Sequence, residues 1–307
     1  MDKNGYLVLE RHGNTMKDRQ KLRSFVQACA TCLSNGYFIG FLQMKIYKGN
    51  LKKVCVPGLN CYSCPGALGS CPIGSLQAVL GNRQFHMTFY VFGFLMMVGA
   101  LFGRIVCGWL CPFGWIQDLL HKIPSKKKYK KIWGDKILRY LKYVMLVVFV
   151  ILMPLFVVDI VGQGAPWFCK LICPAGTLEG GIPLVSTSTD LQQLVGFLFV
   201  WKNFILFSLL ILSVFVYRPF CHYLCPLGAI YGLFNPIAFG RFQVEKSKCT
   251  GCKSCQKACK FDIPVYEKPN SPECIRCGLC VSTCKKGCIQ YENNPFINKK
   301  QREINKI

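Results

Sequence analysis

The chain is short of acid and of histidine. Asp and Glu number 14 against 38 Lys and Arg, a formal charge of +24, and only 4 residues are His. No Cys-x2-Cys-His run is present, which excludes c-type haem attachment. No catalytic triad, general base constellation or Gly-rich nucleotide loop is visible, which leaves any chemistry to a bound group. No small-residue cleavage site follows the first apolar stretch, and the segment before it is too long for the basic region of a cleaved signal peptide.

What the chain has is apolar residues and sulfur. Of 307 residues, 52% are hydrophobic and 21 are Cys, and the mean hydropathy is +0.30. So much apolar surface excludes disorder. The apolar residues come in long blocks and the basic ones elsewhere, which argues against nucleic acid as a partner. The length and the metal-site spacing of the cysteines exclude a small disulfide scaffold. A membrane protein that holds metal clusters remains.

Residues 89–106, 143–158 and 194–217 read as membrane helices, each near the about 20 residues that a lipid core needs. Arg104 and Lys202, near the ends of their spans, are expected to snorkel to the surface. A fourth and more polar stretch, 25–46, is also read as a span, although it holds Gln27, Thr31, Ser34, Asn35 and Gln43. Lys and Arg number 6 in residues 1–23, 9 in 112–142 and 15 from Arg218 onward, but 4 in 48–87 and 1 in 161–197. That bias places both termini and the middle loop in the cytoplasm of a multi-pass protein of the inner membrane. The excess charge is then a positive-inside signature and a surface for anionic lipid.

The most specific pattern lies in the tail. Cys249-x2-Cys252-x2-Cys255-x3-Cys259 is followed by Cys274-x2-Cys277-x2-Cys280-x3-Cys284. Three thiolates two residues apart can wrap a cubane only where the loop curls, and Gly251 and Gly278 ease that curl. Paired zinc ribbons do not require eight cysteines in this order. The doubled run resembles the bacterial two-cluster ferredoxin, in which the fourth Cys of each run serves the other cluster. The resemblance implies one [4Fe–4S] cluster on Cys249, Cys252, Cys255 and Cys284, and another on Cys259, Cys274, Cys277 and Cys280. The usual Pro after the fourth Cys is replaced by Lys260 and Lys285.

A second motif, Cys-Pro-x-Gly, recurs at Cys71, Cys111, Cys173 and Cys225. Three copies carry a Cys four residues earlier, at Cys107, Cys169 and Cys221, and the first has Cys61 and Cys64 upstream. On the topology above the copies alternate between outer and inner sides, as a duplicated two-helix unit with a pseudo-two-fold axis would give. Cys107, Cys111, Cys221 and Cys225 then form an inner set of four, and Cys61, Cys64, Cys71, Cys169 and Cys173 an outer set of five. Residues four apart share a helix face. Pro suits the first helical position, and a helix start aims free N–H groups at an anion. One or two further Fe–S clusters in the membrane part follow. Disulfides among Cys61, Cys64 and Cys71 and plain packing of Cys29 and Cys32 are the plainer alternatives.

These motifs together resemble the NapH, NosR and CcoG type of membrane iron–sulfur protein, over about residues 88–290. The matching residues are Cys107 to Pro112, Cys221 to Pro226 and Cys249 to Cys284. The resemblance implies electron transfer between cytoplasmic donors or the quinone pool and a reductase beyond the membrane. Its partners would be a soluble ferredoxin, a flavoprotein or an extracytoplasmic reductase, with quinone as a family-derived ligand. Of the three histidines that could line a quinone pocket, His86, His121 and His222, each is read as a surface residue. Copper reduction or metalloenzyme assembly on the Cys pairs is the alternative from a different class.

The expected fold is an α-helical membrane protein of about four transmembrane helices with a pseudo-two-fold repeat. It carries a small α+β two-cluster ferredoxin-like domain. The boundaries are a basic N-terminus (1–24), a membrane domain (25–240), the ferredoxin-like domain (241–292) and a basic tail (293–307).

Overall fold

The computed structural model describes residues 16–43, 45–82, 88–125, 127–158, 163–193 and 195–292. The basic tail 293–307, most of the basic N-terminus and His86 lie outside them. The described chain is mostly helical, with one two-stranded sheet.

Among the described residues, two helices are long and apolar enough to cross a membrane, Asp135–Phe156 (22 residues, mean hydropathy 1.9) and Phe197–Phe215 (19 residues, 2.1). Phe197–Phe215 buries Leu206, Leu209 and Ser213 on one face and exposes Phe197, Phe204, Phe207 and Ile211 on the other. An exposed face this apolar suits lipid rather than water. Asp135–Phe156 starts after a left-handed Gly134 and takes a wide π-type turn over Met145–Leu152. That turn leads into Pro154, which lacks an N–H for the α-helical bond to Val150. The third expected span is the shorter helix Thr88–Phe102, about 22 Å long, ended by Gly103 at φ +54°.

The fourth expected span is not one helix. Met16–Ser34 ends where Thr31, Ser34 and Asn35 turn their side chains onto the carbonyls of Gln27, Ala30 and Thr31, and a separate Phe38–Gln43 follows. Short polar side chains that bond back to their own backbone compete with the helix ladder, and Gly36 lets the chain turn.

Between the long helices lie short ones: Pro72–Leu80, Ile105–Trp109, Pro112–Lys122, Trp167–Leu171, Pro174–Gly176, Pro219–Tyr223 and Pro226–Phe234. In the tail, β1 (Arg241–Val244) pairs antiparallel with β2 (Ile289–Glu292), Phe242 opposite Tyr291. The strands close a loop that holds all eight cysteines of the ferredoxin-like run. Its curl uses φ of +66° at Gly251 and +57° at Lys253 in the first run, and +52° at Arg276 and +78° at Gly278 in the second. Each run thus places left-handed residues two and four positions after its first Cys, and only one of each pair is Gly.

Candidate iron–sulfur sites

The three Cys-x3-Cys-Pro segments fold alike. Cys107, Cys169 and Cys221 each lie in a five-residue helix, Ile105–Trp109, Trp167–Leu171 and Pro219–Tyr223. The second Cys of each then turns back: Cys111, Cys173 and Cys225 donate backbone N–H bonds of 2.9–3.1 Å to Val106, Phe168 and Phe220. Each of these, and Cys71, caps the helix that follows, with Pro in its first turn. The fourth residue of every motif is Gly, and in two of them its N–H reaches the thiol of its own Cys, Gly176 to Cys173 and Gly228 to Cys225, both at 3.4 Å. Four sulfurs therefore sit at helix starts among free N–H groups, as a thiolate cluster requires.

The inner set closes as a quartet across the two halves. The Cys225 thiol lies within electrostatic reach of Cys221, Cys107 and Cys111, and Cys111 within reach of Cys221. Gln117 stitches the halves together. Its amide donates to the Cys221 sulfur at 3.2 Å and accepts from Phe220 N–H at 3.2 Å. Gln77 does the same in the outer set, donating to the Cys169 sulfur at 3.3 Å and accepting from Phe168 N–H at 2.9 Å. Both glutamines stand six residues after a motif Cys, a repeat that spacing alone could have shown.

Of the five outer cysteines, four converge. Cys173 lies within reach of Cys169, Cys61 and Cys71, and these four line one cavity of about 580 Å³. Cys64 does not line it, and its thiol instead meets Asn35 Oδ1 at 3.5 Å. Glu179, six residues after Cys173, accepts the Cys61 N–H at 2.7 Å. Burial pushes that carboxyl up to about 7. Lys202 lines the same cavity rather than reaching a far surface. Cys29 and Cys32 are exposed, and Cys55 is buried.

The two quartets are neighbours. The backbone of Leu59 lies beside the Cys111 sulfur, and Cys61 follows two residues later, a span of at most about 7 Å. Gly58 packs against the Cys111 backbone, where a Cβ would lie 3.2 Å from its Cα. Tyr231, fully buried, lies within reach of Cys107 and Cys111 on one side and Cys71 on the other. The quartets are therefore not held apart by the about 30 Å of a lipid core.

In the tail, Cys280 lies within reach of Cys274, Cys277 and Cys259, and also of Cys255. Cys255 is in turn within reach of Cys284. Cys252 is exposed. Cys288, outside both runs, is buried with its sulfur 3.2 Å from Cys284. Lys260, where ferredoxins of the resemblance carry Pro, stacks its ammonium on the Tyr217 ring at 4.5 Å.

The tail is fastened to the inner quartet. Asn235 accepts from Arg104 N–H at 3.0 Å and donates to the carbonyls of Ser271 (2.8 Å) and Cys274 (2.7 Å). Trp109, two residues after Cys107, donates to the carbonyl of Arg276, two residues after Cys274 (3.2 Å). Arg104 does not snorkel. It is fully buried and pairs with Glu273, as does Lys142. His222 is not a surface residue either: it is 3% exposed, 3.3 Å from Asp135 and stacked on Phe261. His121 is partly buried against the Ser213 carbonyl. Asp118 joins Arg23 and Arg218, which ties the first helix to this core.

Among the described residues, no three His, Cys, Asp or Glu side chains close on a point as a single metal ion requires. A cubane is bound at four separated corners, and an inner quartet of buried thiols and an outer one of two buried and two half-buried thiols suit that demand.

The family described as a 4Fe-4S binding domain matches residues 84–131 and 195–244, the two segments that hold Cys107, Cys111, Cys221 and Cys225. The chain is 33% identical over 204 residues to an uncharacterized protein of Methanocaldococcus jannaschii, covering 64% of this chain and 75% of that one. It is 26% identical over 208 residues to the ferredoxin-type protein NapH of Haemophilus influenzae, covering 64% and 65%. It is 23% identical over 214 residues to the regulatory protein NosR of Pseudomonas aeruginosa, covering 66% of this chain and 26% of that one. No solved structure matches. The chain belongs to the NapH- and NosR-type family of ferredoxin-type 4Fe–4S electron-transport proteins.

Proposed function

We propose that the chain is a multi-pass protein of the cytoplasmic membrane that relays electrons between its tail and the outer quartet. Clusters bound at the four cysteine sets would each take up and release one electron. In this reading Cys249, Cys252, Cys255 and Cys284 hold one [4Fe–4S] cluster and Cys259, Cys274, Cys277 and Cys280 the next. Cys107, Cys111, Cys221 and Cys225 hold a third, and Cys61, Cys71, Cys169 and Cys173 a fourth. The observation that carries the reading is the continuity of the protein between sets. Trp109 and Asn235 tie the Cys274 loop to the inner quartet, and Leu59 to Cys61 ties the inner quartet to the outer.

The Lys and Arg count supports both termini on the cytoplasmic side, and with it a membrane domain over 25–240 and a ferredoxin-like domain over 241–292. Acidic, soluble redox proteins of the ferredoxin or flavoprotein class suit the basic tail surface. An extracytoplasmic reductase or a quinone suits the outer end. The test is stepwise reduction. Reduced ferredoxin mixed with the protein in liposomes reduces the tail signals first and the membrane signals after them. The Asn235→Ala variant slows the second phase. Membrane signals that stay oxidised while the tail is fully reduced would end this reading.

A further inference from the structure

The two quartets share a backbone but not their charges. Arg104 and Arg218 each stand three residues before the first Cys of an inner pair, and each reaches across to the other half. Arg218 donates to the Cys107 carbonyl, and Arg104 to the Cys221 carbonyl at 3.0 Å. Each guanidinium fills the space over the motif Gly of the opposite half. A Cβ on Gly114 would lie 3.1 Å from Arg218, and one on Gly228 would lie 3.2 Å from Arg104. Both arginines are 0% exposed. Their carboxylates are shared: Asp118 serves Arg23 as well as Arg218, and Glu273 serves Lys142 as well as Arg104. Each cluster of charges is thus left with a net positive charge. Arg104 Nε, fully buried, has no oxygen or nitrogen partner.

The outer quartet has no such pair. Seven residues before the Cys-Pro cysteine, where the inner motifs carry Arg104 and Arg218, the outer motifs carry Pro166 and Cys64. The charged groups near its thiols are the half-buried Glu179 carboxyl, held by Cys61 N–H, Lys202, which lines its cavity, and buried Lys52, whose ammonium is bound to the Ala67 carbonyl rather than to a motif Cys. Reduction adds one negative charge to a cluster, and buried cations favour that charge strongly where the dielectric is low.

We propose that Arg104 and Arg218 are positioning residues that poise the inner site at a higher reduction potential than the outer one. The electron step from the outer quartet to the inner quartet is then downhill. This rests on the reading that both quartets hold clusters.

The test is a potentiometric titration, followed by EPR, of the full chain purified without oxygen. Signals are assigned by their loss in a Cys111→Ala, Cys225→Ala variant (inner) or a Cys61→Ala, Cys173→Ala variant (outer). The inner midpoint is expected above the outer. Arg104→Gln lowers the inner reduced-to-oxidised ratio at fixed potential at least about tenfold, about 59 mV for a one-electron couple, and leaves the outer midpoint in place. Arg104→Lys, which keeps the charge, restores most of the shift. An inner midpoint at or below the outer in the unmutated protein overturns the proposal, as does an unmoved midpoint in Arg104→Gln with full iron content. If Arg104→Gln loses its cluster, the order of midpoints in the unmutated protein and in Arg104→Lys still decides. A protein with no inner signal at all refutes the cluster assignment instead.

Discussion

Replacing Asp118 by Asn tests how the first helix is held to the inner site. Burial alone would push the Asp118 carboxyl up, but the Arg218 guanidinium, helped by Arg23, overrides it and holds the group down from the ordinary 3.8 to about 2. At about 1.4 kcal/mol for each tenfold in the protonation equilibrium, the ionised form stabilises the fold by about 2–3 kcal/mol. Asn keeps the shape and removes the charge, so Asp118→Asn is expected to cost about that much. Asp118→Ala, which leaves two buried guanidiniums short of a counter-charge, costs about 3–5 kcal/mol. The folded pKa is depressed, so this stability is complete above the unfolded value near about 4 and is lost as pH falls through about 2. The gap between parent and variant is therefore flat from pH 5 to pH 8. In thermal unfolding in detergent, Asp118→Asn is expected to lower Tm by about 3–5 °C. Proteases should also cut after the first helix sooner. An Asp118→Asn variant as stable as the parent at pH 7 would refute the claim that this ion cluster, rather than apolar packing, anchors the helix.

Three further outcomes follow from the geometry. Cys61→Ala is expected to lose about four iron atoms per chain and Cys64→Ala none, measured by iron analysis, because only Cys61 lines the outer cavity. Asn235→Ala removes two hydrogen bonds to tail carbonyls and a third that holds Asn235 to Arg104, and about 2–4 kcal/mol of docking with them, read as faster proteolytic release of the tail. Gln117→Leu leaves the Phe220 N–H and the Cys221 sulfur without their amide partner. It should destabilise the inner site by about 1–3 kcal/mol, seen as faster loss of its EPR signal in air than in Gln77→Leu, whose site it does not touch.

Much of the site was legible because its rules are local. Pro after Cys foretold where Pro112 and Pro226 begin their helices. The curl at Gly251 and Gly278 was legible too, whereas Lys253 and Arg276 share it without being Gly. What was illegible depends on distant partners. Residues 25–46 are apolar enough for a span on average, but the break follows from Ser34 and Asn35 bonding their own helix. Arg104, Lys202 and His222 read as surface groups because a sequence shows charge and not the counter-ion. Glu273 and Asp135, 169 and 87 residues away from Arg104 and His222, keep two of them inside. The outer set could not be cut from five cysteines to four until the fold turned Cys64 toward Asn35. Nor does alternation along the chain reveal that the loop from Leu59 to Cys61 brings the two quartets together.

The central claim is that the membrane part holds two clusters on two quartets of thiols. Iron and acid-labile sulfide are measured per chain on protein purified without oxygen, beside the Cys111→Ala, Cys225→Ala and Cys61→Ala, Cys173→Ala double variants. The account predicts about 16 iron atoms in the parent and about 12 in each double variant. About 8 iron atoms in all three would contradict it, leaving a membrane-anchored ferredoxin whose Cys-Pro turns only pack.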